Sequence, residues 1–357
     1  VSTTTQHEVL AGQLPRISVV VPVLNEENFI ESTLRQLLGQ NYLADRLEVI
    51  VADGRSTDRT REIVGSLQAE YPNLHLVDNP LKWSSAGRNA AIQVAQGDLI
   101  VVVDGHCQID DTNYLQNLAD AFQRSGADCL GRPQPQDVST ANALQRAIAS
   151  ARDSWLGHHS QSFIYSSVEQ FVPPQSVAVA YRREVFDEVG LFDESFDACE
   201  DVELNHRVDQ AGFQCFFTPN VRVRYVPRSS LKGLFRQMAR YGRGRVRLWR
   251  KHRDTFSIAS FLPALFLAGV LLGPVFSMLN WWLAIFYIST LLLYSGIVLG
   301  TSASIAIKNR NFPMLFWLPL VFPAIHFGAG YGVLLELLVG KSVKKLPSND
   351  NQVGLKN

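Results

Sequence analysis

Between residues 17 and 103 the apolar positions follow two alternating patterns. Short, largely apolar runs occupy 17–21, 47–52, 74–77 and 99–103, the last mostly β-branched and without polar interruption, and such runs suit strands buried on both faces. Between them, 29–38 is amphipathic, and 59–71 and 84–95 read as helices. This alternation predicts a doubly wound, mainly parallel α/β sheet. Right-handed crossovers then bring the polar strand ends at Asn25, Asp53 and Asp104 onto one rim, where open α/β sheets bind ligands.

Past 103 the pattern is more broken. Helices are expected at 112–124 and 141–154, a returning strand at 175–181 and a short helix at 182–189. A helix that opens on acidic residues after 199 should end at Gly212, followed by short strands at 215–218 and 221–225. The loops 131–137 and 163–175 are expected to shape a substrate pocket.

The last third is apolar. From 256 to 340 the only charged residues are Lys308, Arg310 and Glu336, and the blocks 258–279, 281–300 and 312–339 each reach the roughly 20 residues of a membrane span. Trp281, Trp282 and Tyr287 fit an interfacial belt at an outer loop, and Lys308 with Arg310 marks an inner one. Three full spans would leave Lys341, Lys344 and Lys345 outside, against the positive-inside rule, so the Pro-broken third block is the one expected to be re-entrant or interfacial. Just upstream, Leu231, Leu234, Phe235 and Met238 make one apolar helix face among basic residues, the pattern of a helix lying on a membrane surface.

Charge sharpens this division, because a formal net charge of zero hides a strong asymmetry. Residues 1–221 carry 30 acidic and 15 basic residues, whereas 222–253 carry 12 basic and no acidic ones. A basic belt beside apolar blocks points to anionic lipid rather than nucleic acid as its partner. The four cysteines show no metal or redox spacing and read as reduced and cytosolic, and the polar opening 1–16 has no signal-peptide core. The expected organisation is a tail over 1–15, an α/β domain over 16–228, a basic surface helix over 229–254, a membrane region of two or three spans over 255–340 and a polar tail over 341–357.

Candidate chemistry collects at the strand ends. If the chain stays extended past Val103, Asp104 and His106 project to one side and could share a metal ion, while Gly105 admits close approach; the alternative is a strand-ending turn with a solvated Asp. Asp53, Gly54, Ser56 and Asp58 could equally be turn chemistry, and Glu200 with Asp201 could be helix-capping acids. His158, His159, His206 and His326 draw no catalytic role.

In combination these motifs are far less ordinary. Pro22, Asn25 and Glu26; Asp53, Gly54, Ser56 and Asp58; Gly87-Arg88-Asn89; Asp104-Gly105-His106; Glu200-Asp201; and Gln237-Met238-Ala239-Arg240-Tyr241 together resemble the family 2 glycosyltransferases over roughly 17–247. Those are inverting enzymes of the GT-A fold that use nucleotide-activated sugars, and the nearest likeness is to membrane-attached enzymes of bacterial exopolysaccharide assembly, such as succinoglycan-type glucosyltransferases.

The resemblance implies a division of labour. Pro22, Asn25, Glu26, Asp53, Gly54, Ser56, Arg88 and Asp104 would bind the donor nucleotide, with Arg88 near Asp53 or the nucleotide; an internal ion pair is the competing account of Glu26 and Arg88. Asp104 and His106 would hold a divalent metal, Mn²⁺ being favoured over Mg²⁺ by the imidazole ligand. Asp201 would be the general base with Glu200 in support, while Gln237, Arg240, Tyr241, Arg243 and Arg245 would hold diphosphate or acceptor; a purely lipid-binding belt is the alternative for the arginines. Tyr241 replaces the Trp of the processive Gln-Xaa-Xaa-Arg-Trp pattern, and so few spans leave little for a polymer channel, so transfer of a single sugar is expected. The expected donor is a UDP-sugar, UDP-glucose being one candidate, and the expected acceptor a polyprenyl-diphosphate-linked saccharide on the cytosolic face of a bacterial inner membrane. Transfer to polyprenyl phosphate and a non-catalytic sugar-nucleotide sensor are the alternatives.

Overall fold

The computed structural model describes residues 14–157, 163–164 and 166–340, so His158, His159, the N-terminal tail before 14 and the C-terminal lysines Lys341, Lys344 and Lys345 lie outside the described residues. The expected alternation is present as β1 (Ile17–Val23), α1 (Ile30–Leu38), β2 (Leu47–Asp53), α2 (Thr60–Glu70), β3 (Leu74–Asp78), α3 (Ser84–Val94) and β4 (Leu99–Val102). Strand side chains alternate between faces. Val19 and Val21 meet α1 and α2 through Ile30, Leu34, Val64 and Leu67, whereas Val20 and Ile50 meet α3 through Ala91 and Ile92 on the other side. Each such fully buried aliphatic side chain contributes about 1.5–3 kcal/mol, so a polar substitution at Val20 would strike both register and core.

After a turn come β5 (Cys107–Gln108), α4 (Tyr114–Ser125), β6 (Cys129–Gly131), α5 (Ala143–Arg152), β7 (Gln170–Val172), β8 (Ala178–Arg182), α6 (Arg183–Val189), α7 (Glu200–Gln210), β9 (Cys215–Phe217) and β10 (Arg224–Tyr225). The eight-stranded sheet has the order β3-β2-β1-β4-β8-β6-β9-β7. Its first four strands are parallel, but β8 joins both β4 and β6 antiparallel, so the sheet is mixed beyond the rim that period alone predicts. Strand β10 instead pairs with β5, drawing the approach to the basic belt against the turn that carries His106. All four cysteines are free and buried.

The basic belt is one helix, α8 (Leu231–Lys251), capped by the Ser230 side chain. It is followed by α9 (Ile258–Ser277), α10 (Trp281–Lys308) and α11 (Met314–Val339), three helices long and apolar enough to cross a membrane. They differ in surroundings. Only 6% of the apolar window of α9 and of α10 is buried within the protein, against 44% for α11. Despite Pro319 and Pro323, α11 is continuous. It lies directly along α8: a Cβ at Gly332 would stand 2.0 Å from the Ala239 carbonyl oxygen, and one at Gly242 would stand 2.2 Å from that of Ala329. The apolar face of α8, including Leu234 and Met238, therefore packs on Phe322 and Ile325 of α11 and Ile148 of α5. The sequence pattern alone assigns that face to lipid. Its actual neighbour is another helix of the same chain.

Candidate functional site

A cavity of about 700 Å³ opens where the carboxyl ends of the parallel strands meet α7 and α8. Its floor carries Asp104 and His106, its walls Pro22, Glu26, Arg88, Glu200 and Asp201, and its α8 side Gln237, Arg240 and Tyr241. Ten of the residues singled out from sequence thus converge, from elements up to 219 positions apart in the chain (Pro22 to Tyr241).

The first two loops explain themselves locally. Asn25 takes a left-handed conformation (φ 57°), which Asn tolerates better than most residues. Its side-chain oxygen accepts from Thr57 N–H at 2.8 Å, while its own N–H donates to the Ser56 hydroxyl at 2.9 Å, so the loop after β1 is tied to the loop after β2. Asp53 is fully buried, accepts from Ser56 N–H at 3.1 Å and pairs with Arg61 at 2.8 Å. Gly54 sits where a Cβ would meet the Val23 carbonyl oxygen at 3.2 Å. Asn25, Asp53, Gly54 and Ser56 do not line the cavity; they build the loops that do.

The chain turns at Gly105 and His106 instead of continuing as a strand, yet Asp104 and His106 still face the same cavity. His106 Nδ1 is 3.0 Å from a Glu26 carboxylate oxygen, and the ring stands edge-on between Phe29 and Tyr225. This leaves Nε2 for a ligand. Burial by itself would lower the imidazole pKa, but the Glu26 hydrogen bond and the charges of Asp104 and Glu26 outweigh it and raise the pKa. A carboxylate on the far nitrogen is how proteins orient a metal-binding histidine. The Asp104 carboxylate is one-third exposed, at 33%. Among the described residues no group of three or more His, Cys, Asp or Glu is placed to hold a metal ion.

Arg88 is drawn not to Asp53 but to Glu200, at 3.1 Å, with Asp104 at 3.7 Å. The ion-pair account of Arg88 therefore describes its contacts, across the cavity floor. Glu200 is 11% exposed at its side chain. Burial raises its carboxyl pKa despite Arg88, and the negative charges of Asp201 and Asp104 add to the rise. Asp201 is exposed, with one oxygen accepting from Val202 N–H at 2.8 Å. Both acids open α7, whose cap Cys199 is left-handed (φ 62°) without being Gly or Asn, a conformation costing of the order of 1–2 kcal/mol.

On α8, Arg240 donates to the Asp197 carbonyl oxygen and Gln237 reaches the Tyr241 hydroxyl at 3.4 Å. Arg243 is committed elsewhere, to Glu336 of α11 at 2.9 Å, and neither it nor Arg245 lines the cavity. Spacing on a helix shows which positions share a face, but not which partner meets that face. Arg152, Arg228, Tyr225 and Asp197 line the cavity unforeseen; Gln134, Gln136 and Ile164 belong to the two loops expected to shape it. The signal for Arg228 was its place in the basic belt just before α8.

The model of the family described as "Glycosyltransferase like family 2" matches residues 15–244. The succinoglycan biosynthesis protein ExoA of Rhizobium meliloti is 32% identical over 82% of this chain and 86% of its own. A dolichyl N-acetyl-alpha-D-glucosaminyl phosphate 3-beta-D-2,3-diacetamido-2,3-dideoxy-beta-D-glucuronosyltransferase of Methanococcus voltae is 26% identical over 92% of this chain and 99% of its own. Among solved structures, the mannosyltransferase PcManGT of Pyrobaculum calidifontis, in complex with GDP-Man and Mn²⁺, superposes with a TM-score of 0.57 at 21% identity, covering 90% of this chain and 88% of that one.

Proposed function

Because the chain belongs to the family 2 glycosyltransferases, we propose that it transfers one sugar, with inversion, from a UDP-sugar to a polyprenyl-diphosphate-linked saccharide. The carrying observation is that Asp104, His106, Glu200, Asp201 and Arg240, from three separate parts of the chain, face one cavity large enough for a sugar nucleotide. Similarity to a succinoglycan biosynthesis protein supports glycan assembly, and the dolichyl-linked substrate in the name of the archaeal relative supports a lipid-linked acceptor.

In this reading Asp201, solvent-exposed and facing the cavity, accepts the proton of the acceptor hydroxyl as that oxygen attacks the anomeric carbon. Glu200 anchors Arg88, and Arg88 in turn keeps a positive charge beside Asp104. The donor set of one carboxylate and one imidazole suits Mn²⁺ better than Mg²⁺, and a divalent ion held there by Asp104 and His106 would neutralise the leaving diphosphate. Glu26 orients the His106 ring, and Arg228, Arg240 and Gln237 are donors available to phosphate oxygens. Asn25, Asp53, Gly54 and Ser56 serve nucleotide binding by shaping the loops behind Pro22 and Glu26.

For the membrane region, the proposal is that α9 and α10 cross and return on the bacterial inner membrane while α11 lies along α8 at the cytosolic surface. Asn309, just after α10, donates to Ser150 of α5 at 3.2 Å, which supports a return to the catalytic side. The side-by-side packing of α8 and α11 supports the surface placement, which would keep Lys341, Lys344 and Lys345 inside as well.

The test is donor consumption by membranes containing the protein, across UDP-, GDP- and dTDP-sugars with Mn²⁺, Mg²⁺ or EDTA, and with acceptor lipids bearing either a phosphate or a diphosphate-linked saccharide. Metal-dependent consumption of one UDP-sugar with the saccharide acceptor is expected. Transfer to polyprenyl phosphate alone would replace the acceptor, and UDP binding without turnover of any donor would favour a sensor.

A further inference from the structure

Glu336 is a buried carboxylate, 4% exposed, in an otherwise uncharged α11. Such a group is costly in an apolar segment unless it is paired, and here the pairing is extensive. Arg243 Nε donates to it at 2.9 Å, Arg247 donates through Nε at 3.0 Å and Nη2 at 3.3 Å, and Arg250 stands at 3.9 Å. One edge of the Arg247 fork is therefore taken by Glu336. Its remaining nitrogen, Nη1, pairs with the Asp197 carboxylate.

Asp197 begins the short loop that ends in Glu200 and Asp201. That loop lies flat against α8: a Cβ at Gly244 would come within 2.7 Å of both the Ala198 carbonyl oxygen and the Cys199 sulfur. Arg240 holds the Asp197 carbonyl from the same helix, and Cys199 keeps its left-handed backbone directly before the two acids. A strained residue persists only where its surroundings over-determine it. The surroundings here are α8, and α8 is locked to α11 through Glu336.

We propose that Glu336 is a positioning residue: by fixing Arg247, it holds the loop 197–199 that sets the Asp201 carboxylate for proton abstraction, so an apolar helix at the membrane governs the geometry of a base in the catalytic domain. The guanidinium is planar and bidentate on Glu336, so turning it displaces Asp197 rather than merely lengthening one bond. The inference rests on the assignment of Asp201 as base; of the donor side, Glu26 and His106 pair with each other, and Asp104 meets this chain of contacts only through Arg88, at 3.7 Å.

The test uses the full-length protein in bilayer nanodiscs with the consumed UDP-sugar, Mn²⁺ and lipid acceptor. E336Q should lower kcat about tenfold or more with donor KM within about twofold, Glu336→Asp should recover part of that loss, and D197N combined with E336Q should cost little beyond either alone, because both act through Arg247. Should E336Q fail to fold, G244A provides the second arm, pushing Ala198 and Cys199 off α8 without touching the ion cluster, and the same fall in kcat at constant KM is expected. A wild-type kcat in folded E336Q, or in G244A where E336Q does not fold, overturns the inference, as do strictly additive losses or an equal rise in donor KM. D201N is run alongside: if it keeps full turnover, the assignment of the base fails and takes this inference with it, whereas loss in D201N with wild-type rates in E336Q overturns the inference alone.

Discussion

On one side of the cavity, Glu26, Asp104 and His106 stand at the ends of parallel strands whose backbones are paired residue by residue, Val23 opposite Asp53 and Val20 opposite Val102. On the other, Asp201, Arg240 and Tyr241 stand on two helices that are held together by charged side chains far apart in sequence, Lys251 with Glu203 and, through the loop before α7, Arg247 with Asp197. The strand side inherits its geometry from backbone ladders, which few single substitutions disturb. The helix side depends on side-chain pairs, each removable by one mutation. Donor binding should therefore be robust, metal binding vulnerable at the Glu26–His106 pair alone, and acceptor activation fragile at several pairs.

The largest expected effect is Asp201→Asn. Removing the proposed general base should cost about 10²–10⁴-fold in kcat while the affinity for the proposed donor nucleotide UDP with Mn²⁺, followed by titration calorimetry, stays put; loss of UDP binding in step would erase the contrast between the two sides. Next comes Glu26→Gln, which removes the carboxylate that orients His106 and should raise the Mn²⁺ concentration for half-maximal turnover about 10–100-fold, leaving kcat at saturating metal nearly intact. A smaller effect is expected of Arg61→Leu. It leaves the buried Asp53 carboxylate without its partner and should destabilise the domain by about 1–3 kcal/mol in urea unfolding, with kcat little changed in the fraction that stays folded.

The helix side should also reveal itself through pH. Burial alone would raise the Glu203 carboxyl pKa, but His252, Arg207 and Lys251 all bond to it and hold it well below its ordinary 4.5. With the folded pKa below the unfolded one, this contribution is fully present above about pH 4.5 and is lost as pH falls through the folded value. Thermal unfolding should therefore drop in temperature on acidification, and Glu203→Gln should flatten that slope. The smallest effect is expected at an exposed pair, Arg59 with Glu62 at 3.0 Å, where Glu62→Ala should leave the urea midpoint of unfolding unchanged within error. A measurable loss there would show that surface pairs matter on the strand side too.

The order β1-α1-β2-α2-β3-α3-β4 is legible in sequence because each element is marked locally: a short, largely apolar run for a doubly covered strand, an amphipathic or helical stretch between runs, and turn motifs such as Asp53, whose carboxylate accepts from Ser56 N–H. The basic belt and the three apolar blocks are legible for the same reason, since composition over about 20 residues is what a membrane responds to. Which partner each charged side chain takes is not a local property. Arg88 turns to Glu200 across 112 positions, Arg243 to Glu336 across 93, and β8 enters the sheet antiparallel. Those choices follow from burial, because an ion removed from water must pair with whatever opposite charge the packed chain brings within reach. Sequence by itself therefore determined the first four strands, the family motifs and the apolar composition of the last third, while the short strands β5, β6 and β7 escaped it. Only the tertiary structure decided that α8 lies on α11, and that the loop carrying Asp201 rests on both through Arg247.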